Sequence, residues 1–272
     1  MIHFSKDDGV TWKTLSDLGL ILQPGHEHPF IPDVINSSVM IGGADGAIDF
    51  GGRLGPRPLN LPLCFPYETT VGQMQKRGRE LTVYLSDGRG RPLTLWMRFE
   101  YEFDKYYSVR YNGAVIPSRR FEVSEFVLPM IAHDPFAYQT NLSTAITWDS
   151  DVLMDNEYLT FDDKFSFILS APATLEVNNF GRVDEWPIIQ IVGSFTTLSI
   201  TVGTRTLVYN EALASGTLMI DCKKMTAKLG VTNKNNKVSG NWIQLLRGLN
   251  SMIIAGTGIN CTVSFAFRAK YA

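Results

Sequence analysis

Residues 187–209 read PIIQIVGSFTTLSITVGTRTLVY. Three runs, at 187–192, 198–202 and 205–209, are rich in β-branched and aromatic residues, and Val202-Gly203-Thr204 turns the chain between the last two. Polar and apolar residues alternate here with the period of a strand rather than recurring at the three-to-four-residue spacing of a helix. The same pattern extends outward to 165–170, 173–178, 217–221, 226–229 and 261–271, with Ser215-Gly216 as a further turn. Many short strands separated by closely spaced turn signals predict a β-sandwich over the second half.

Upstream the pattern changes. Val71, Met74, Gly78, Leu81 and Leu85 fall on one face of a helix predicted over 69–86. Thr70 and Gln73 have the spacing of a capping box, and Asp87-Gly88 ends the run. Such a helix should cover one side of a sheet. Short strands around a turn are expected in 1–22, and further strands at 59–65, 93–103, 106–111, 114–116 and 121–130, with Asn112-Gly113 as a turn. Residues 23–66 are rich in Pro and Gly but carry β-compatible runs at 39–41 and 47–50. Between these runs Asp45-Gly46 reads as a tight hairpin turn, since glycine supplies the positive φ such a turn needs. A projecting hairpin arm is the expectation. Asp134-Pro135 breaks regular structure, which puts a domain boundary after 138: an N-terminal β-sandwich-like domain with one helix over 1–138, and a β-sandwich over 139–272.

The bulk numbers exclude several function classes. The chain has 272 residues, a formal net charge of -2, 19% charged and 44% hydrophobic residues. That composition is globular, with no overall basic field to collect nucleic acid. Lys76-Arg77-x-Arg79 reads as a solvated helix face. Cys64, Cys222 and Cys261 are odd in number and show neither disulfide nor zinc spacing. The first residues carry acids where a signal peptide would be apolar, and no apolar run approaches ~20 residues. A soluble cytoplasmic product without a membrane anchor is expected.

Nothing assembles an active site. His26-Glu27-His28 lies between Pro24 and Pro29, so a solvated loop is expected rather than a metal site. His133-Asp134 has no matching nucleophile motif, and Asp134 reads as a turn cap before Pro135. Asp162-Asp163 and Asp184-Glu185 read as solvated acids rather than a glycosidase pair. Trp186 and Trp242 are expected in the core, while Trp148 remains a candidate for stacking on a sugar. Gly42-Gly43-Ala44-Asp45-Gly46 precedes no helix and lacks the Gly-Lys-Ser/Thr of a phosphate loop. The expectation is a non-enzymatic protein with no cofactor and no metal.

Four segments, in order, resemble the distal tail protein of long-tailed, non-contractile phages (the siphophage Dit family). Ser38 to Gly51, with Gly55-Pro56-Arg57-Pro58-Leu59, is similar to the family's glycine/aspartate loop and the arginine-bearing strand after it. The helix then leads to Lys105-Tyr106-Tyr107-Ser108-Val109-Arg110-Tyr111-Asn112-Gly113, like the family's strand before a turn. Asp134-Pro135-Phe136-Ala137-Tyr138 resembles its Asp-Pro-aromatic junction. Val177-Asn178-Asn179-Phe180-Gly181, Trp186-Pro187-Ile188-Ile189, Trp242-Ile243-Gln244-Leu245 and Gly248-Leu249-Asn250 resemble its galectin-like domain. Gly42-Gly43-Ala44 lacks the arginine the family often places before Asp45-Gly46.

The resemblance implies a virion protein of a phage or prophage, made in the host bacterial cytoplasm and assembled as a homo-oligomer, a hexameric ring. Such a ring joins the tail tube protein to a tail-associated hub, lysin or fibre protein, while DNA and the tape-measure protein pass through without specific binding. Gly42, Gly43, Asp45, Gly46 and Arg57 are the expected inter-subunit arm. The other reading is a glycan- or receptor-binding tail protein acting through residues 139–272.

Overall fold

The computed structural model describes residues 1–43, 45–66, 70–120, 123–146, 159–160 and 162–272; Ala44, Thr69, Phe121 and Trp148 therefore lie outside the described residues. It separates into two compact units, Met1–Ala137 with Ala272, and Tyr138–Tyr271. Both are mainly β.

In the first unit one antiparallel sheet runs in the order Lys13–Thr14, Ile2–Ser5, Leu95–Phe99, Lys105–Tyr111, Val123–Ala132, Arg57–Phe65, Ile21–Leu22, with Ser118–Arg120 also pairing on Val123–Ala132. The pairing of Arg57–Phe65 with Val123–Ala132 shows why these residues make strands. Phe126, Leu128 and Met130 stand opposite Leu63, Leu61 and Leu59, so one face is continuously apolar and buried. By the same parity Arg57, opposite Ala132, also points to the buried face.

The helix Val71–Leu85 has the capping box expected of it. The Thr70 hydroxyl accepts from the Gln73 backbone N–H at 3.2 Å, and the Gln73 side-chain oxygen accepts from the Thr70 N–H at 3.0 Å. Met74, Leu81 and Leu85 are buried, whereas Val71 is exposed.

Two expected strands are shorter or displaced. Residues 100–102 form a 3-10 turn, so the strand predicted over 93–103 is confined to Leu95–Phe99. Residues 114–116 are not a strand: Gly113 has φ 126, Asn112 N–H donates to Pro129 O, and pairing resumes only at Ser118, after Pro117. Proline has no N–H to give a ladder.

The second unit is a sandwich of two antiparallel sheets. One runs Ser166–Leu169, Asn260–Ala266, Ile188–Ser194, Thr217–Asp221, Thr226–Leu229, Thr232–Asn233; the other runs Ala173–Asn179, Gly248–Thr257, Thr197–Val202, Arg205–Tyr209, Val238–Gly240. Alternate residues of both, among them Val177, Ile189, Ile191, Ile200, Ile220, Met252 and Val263, meet in one core. The strand expected over 261–271 is broken after Ala266, because the Phe267 N–H donates to the Ser143 hydroxyl and the Phe267 carbonyl accepts from the Ser143 N–H.

Candidate oligomerisation surface

Strands Val34–Val39 and Ile48–Leu54 pair only with each other, and every residue in them is exposed. The arm exists, but its turn differs from the expected one. Val39 pairs with Ile48, so residues 40–43 and 45–47 belong to the tip, and Met40, Ile41 and Ala47 lie outside the strands. Asp45-Gly46 is therefore part of a longer loop rather than a two-residue turn. Gly43 and Gly46 have φ of 87° and 84°, which supports the positive-φ reading of Gly46 without the tight hairpin.

The ladder has a second glycine device. Pairing shifts between Asn36↔Gly52 and Ser38↔Asp49, which leaves two residues of one strand, Phe50 and Gly51, opposite Ser37. Gly51 has φ 88°, and its N–H donates to the Asp49 carboxylate at 2.9 Å. This is a β-bulge, and it changes which side chains share a face. Beyond it Val39, Ile48 and Phe50 lie together with Ile35, while Val34 and Leu54 fall on the opposite face with Ser38 and Asp49. The arm thus carries a distal apolar face with Phe50 65% exposed, and Met40 at the tip 84% exposed. Phe30 and Ile31, just before the arm, are also exposed.

A lone two-stranded hairpin is marginal in water, and a contiguous exposed apolar patch marks a contact surface.

The root of the arm is built differently. Arg57 is 2% exposed; its Nε donates to the Pro135 carbonyl at 2.9 Å and its Nη1 to the Pro29 carbonyl at 2.7 Å, with the guanidinium 5.3 Å from the Tyr107 ring centre. Its Nη2 has no hydrogen-bond partner among the described residues. Arg57, expected as part of the inter-subunit arm, is within this chain a buried clamp on the segment leading into it. Sheet parity places it there. Gly42, Gly43, Asp45 and Gly46 are all exposed at the tip, apart from Arg57.

His28 also departs from expectation. Its ring stacks on Phe99 at 4.5 Å, and its nitrogens lie 2.7 Å from the Tyr101 hydroxyl and 3.0 Å from the Tyr107 hydroxyl. Burial lowers its pKa; Glu102 opposes that shift, and Arg57 and His26 add to it. Burial pushes the Tyr101 and Tyr107 hydroxyls up to about 12. The Glu27 carboxylate accepts from the Asn60 side chain at 2.8 Å. The sequence hid this because the partners come from residues some seventy positions downstream along the chain.

The remaining candidates do not converge. No group of three His, Cys, Asp or Glu able to hold a metal occurs among the described residues. His133 is exposed, and Asp134 accepts from the Phe136 N–H as a turn cap. Asp163 accepts from the Thr160 N–H and the Asn178 side chain, Asp184 from the Arg247 N–H, and Glu185 faces Lys270 at 2.8 Å. Trp186 and Trp242 pack half-buried against the core, with the Arg205 guanidinium 5.1 Å over the Trp186 ring. Cys64, Cys222 and Cys261 are buried free thiols, and burial pushes Cys222 up to about 12. Among the described residues no helix is long and apolar enough to cross a membrane.

Residues 13–132, which take in the helix, the arm and most strands of the first sheet, match the family model of the phage tail protein RIFT-related domain. Over the whole chain the fold is that of Dit (gp 19.1) of phage SPP1, described as a paradigm of the hub adsorption apparatus in phages infecting Gram-positive bacteria. The TM-score is 0.72 at 15% identity, covering 98% of this chain and 99% of that one. Chains of the phage p2 baseplate in its activated conformation, with calcium and with strontium, align over 100% of this chain and 99% of theirs. Their TM-scores of 0.45 and 0.47, at 8% and 9% identity, carry no argument. A search of curated proteins finds no match. The resemblance to the distal tail family read from the residues is borne out.

Proposed function

We propose that the chain is a structural, non-enzymatic distal tail protein of a long-tailed phage or prophage. It assembles through its first unit into a hexameric ring that joins the tail tube to the tail-tip hub and leaves a channel for DNA. One observation carries this reading: an unpartnered arm with an apolar distal face projects from a phage tail domain. An arm and its receptor are different patches, so the contact is head-to-tail and closes into a ring when the rotation permits. A net charge of -2 suits a lumen through which DNA slides, since gripping phosphate needs clustered Lys and Arg. The second unit is a galectin-like sandwich in this reading. Light scattering across a concentration series, with negative-stain electron microscopy, tests the proposal. Rings are expected; a strict monomer at every concentration, with no rings visible, would overturn it.

A further inference from the structure

The first unit holds an apolar slot of about 360 Å³ between the helix Val71–Leu85 and the sheet, walled by Phe65, Met74, Leu81, Leu85, Phe126 and Leu128. Gly78 leaves an opening in the helix wall, since a Cβ built there meets nothing within 4 Å. Arg79 stands beside that opening. A slot of this size falls within the ~300–1,000 Å³ of sites that enclose a small ligand.

We infer that the slot receives the tip of the arm of a second copy of this chain, with Met40 and Ile41 entering beside Gly78 and with Asp45 and Asp49 facing the basic side of the helix. The inference rests on the ring reading above and adds the place where the arm docks. Three observations select this occupant. Every residue of a copy's own arm strands is exposed, so its own arm does not fill its slot. The charges are complementary: helix residues Lys76, Arg77 and Arg79 are exposed, with Glu80 4.0 Å from Arg77, whereas residues 39–50 carry Asp45 and Asp49 and no cation. The shapes agree as well, because methionine is unbranched and flexible and fills narrow, irregular gaps. Met40 is among the most exposed large apolar side chains of the first unit.

Disulfide trapping in the full-length protein tests this. Ile41→Cys and Thr82→Cys, made separately, are mixed and oxidised. Thr82 lines the slot, and the three native thiols are buried and do not compete. A disulfide between the two variants must join different copies. A cross-linked pair on mixing, absent when either variant is oxidised alone, is the expected result. A companion variant, Gly78→Phe, plugs the slot. Its thermal midpoint should be no lower than that of the parent, because glycine is a poor helix former, while association should weaken about tenfold or more. Wild-type rings that yield no cross-link and survive Gly78→Phe would overturn the docking site and leave the ring standing. A protein that never associates would overturn both. Cross-linked material whose native mass by light scattering never exceeds that of a dimer would uphold the docking site and overturn the ring.

Discussion

Arg57 donates through Nη1 to the carbonyl oxygen of Pro29 across 2.7 Å, and the same guanidinium holds the Pro135 carbonyl through Nε. One buried side chain thereby joins the segment entering the arm to the segment that ends the first unit. Arg57→Ala would strip two carbonyls of a charged donor and leave a cavity beneath Tyr107. Each charged hydrogen bond contributes about 1.5–3 kcal/mol, so a loss on the order of 3 kcal/mol is expected. Arg57→Lys should recover little, because an ammonium cannot span both acceptors as the planar fork does. Denaturant titration of the two variants checks this; a loss under about 1 kcal/mol for Arg57→Ala would show that the clamp is dispensable.

His28 sets a pH dependence in the same region. Its folded-state pKa lies below its ordinary value of 6.5, chiefly because burial disfavours the cation. The native state therefore binds fewer protons than the unfolded state below that value. Its contribution to stability is complete above about pH 6.5 and falls as the pH drops through 6.5 toward the lower folded pKa. His3 is lowered as well, again chiefly by burial, so His28→Gln should flatten only part of the acid side of the profile. Thermal midpoints between pH 5 and 8 measure it. Parallel profiles for the two proteins would mean that His28 does not titrate on unfolding.

Gly51, rather than Gly46, is the glycine on which the arm's face depends. Gly46 sits in open space in the tip, where a side chain meets only the backbone cost of positive φ. Gly51 makes the bulge, and losing an extra residue from a ladder turns every side chain beyond it to the other face. In Gly51→Val the αL penalty of about 1–2 kcal/mol should be relieved by abandoning the bulge, which would scatter Val39, Ile48 and Phe50 from their common face. Size-exclusion should show a loss of oligomer, with a thermal midpoint near wild type because the arm lies outside the core. Gly46→Val should impair assembly less. The reverse ranking would place the decisive turn in the tip.

The sequence makes the sandwich strands legible because alternation is a local signal. It hides Gly248–Thr257, a ten-residue strand in the second unit, for a physical reason. Gly248, Gly256 and Gly258 interrupt its apolar alternation, yet Gly256 lies inside the ladder at φ 154°, where a Cβ would sit 2.0 Å from the Thr197 carbonyl oxygen. Close backbone approach, not a turn, requires that glycine. The arm was legible from Gly and Asp spacing, whereas its bulge depends on pairing register, which composition does not encode. Arg57 was legible as a residue of interest but not in its role. Its burial follows from standing in phase with Leu59, Leu61 and Leu63, and a charged residue at the start of a strand is ordinarily placed at the surface.

In the second unit, Lys270 and Glu185 form a buried pair at 2.8 Å, with the Glu185 carboxylate also accepting from the Trp186 N–H at 3.0 Å. The Lys270 ammonium lies 5.7 Å from the Tyr138 ring centre. Removing one partner of such a pair leaves the other charge buried and uncompensated, at about 3–5 kcal/mol, whereas replacing both by apolar groups is often neutral or stabilising. Lys270→Met should therefore lower the stability of the second unit sharply, and Glu185→Leu with Lys270→Met should recover most of the loss. If the two units melt independently, calorimetry of Lys270→Met will move one transition, and Arg57→Ala will move the other. A single transition displaced by both variants would show that the halves unfold as one. A double variant no better than Lys270→Met would show that the pair contributes more than its desolvation costs, through the Trp186 N–H it would then leave unbonded.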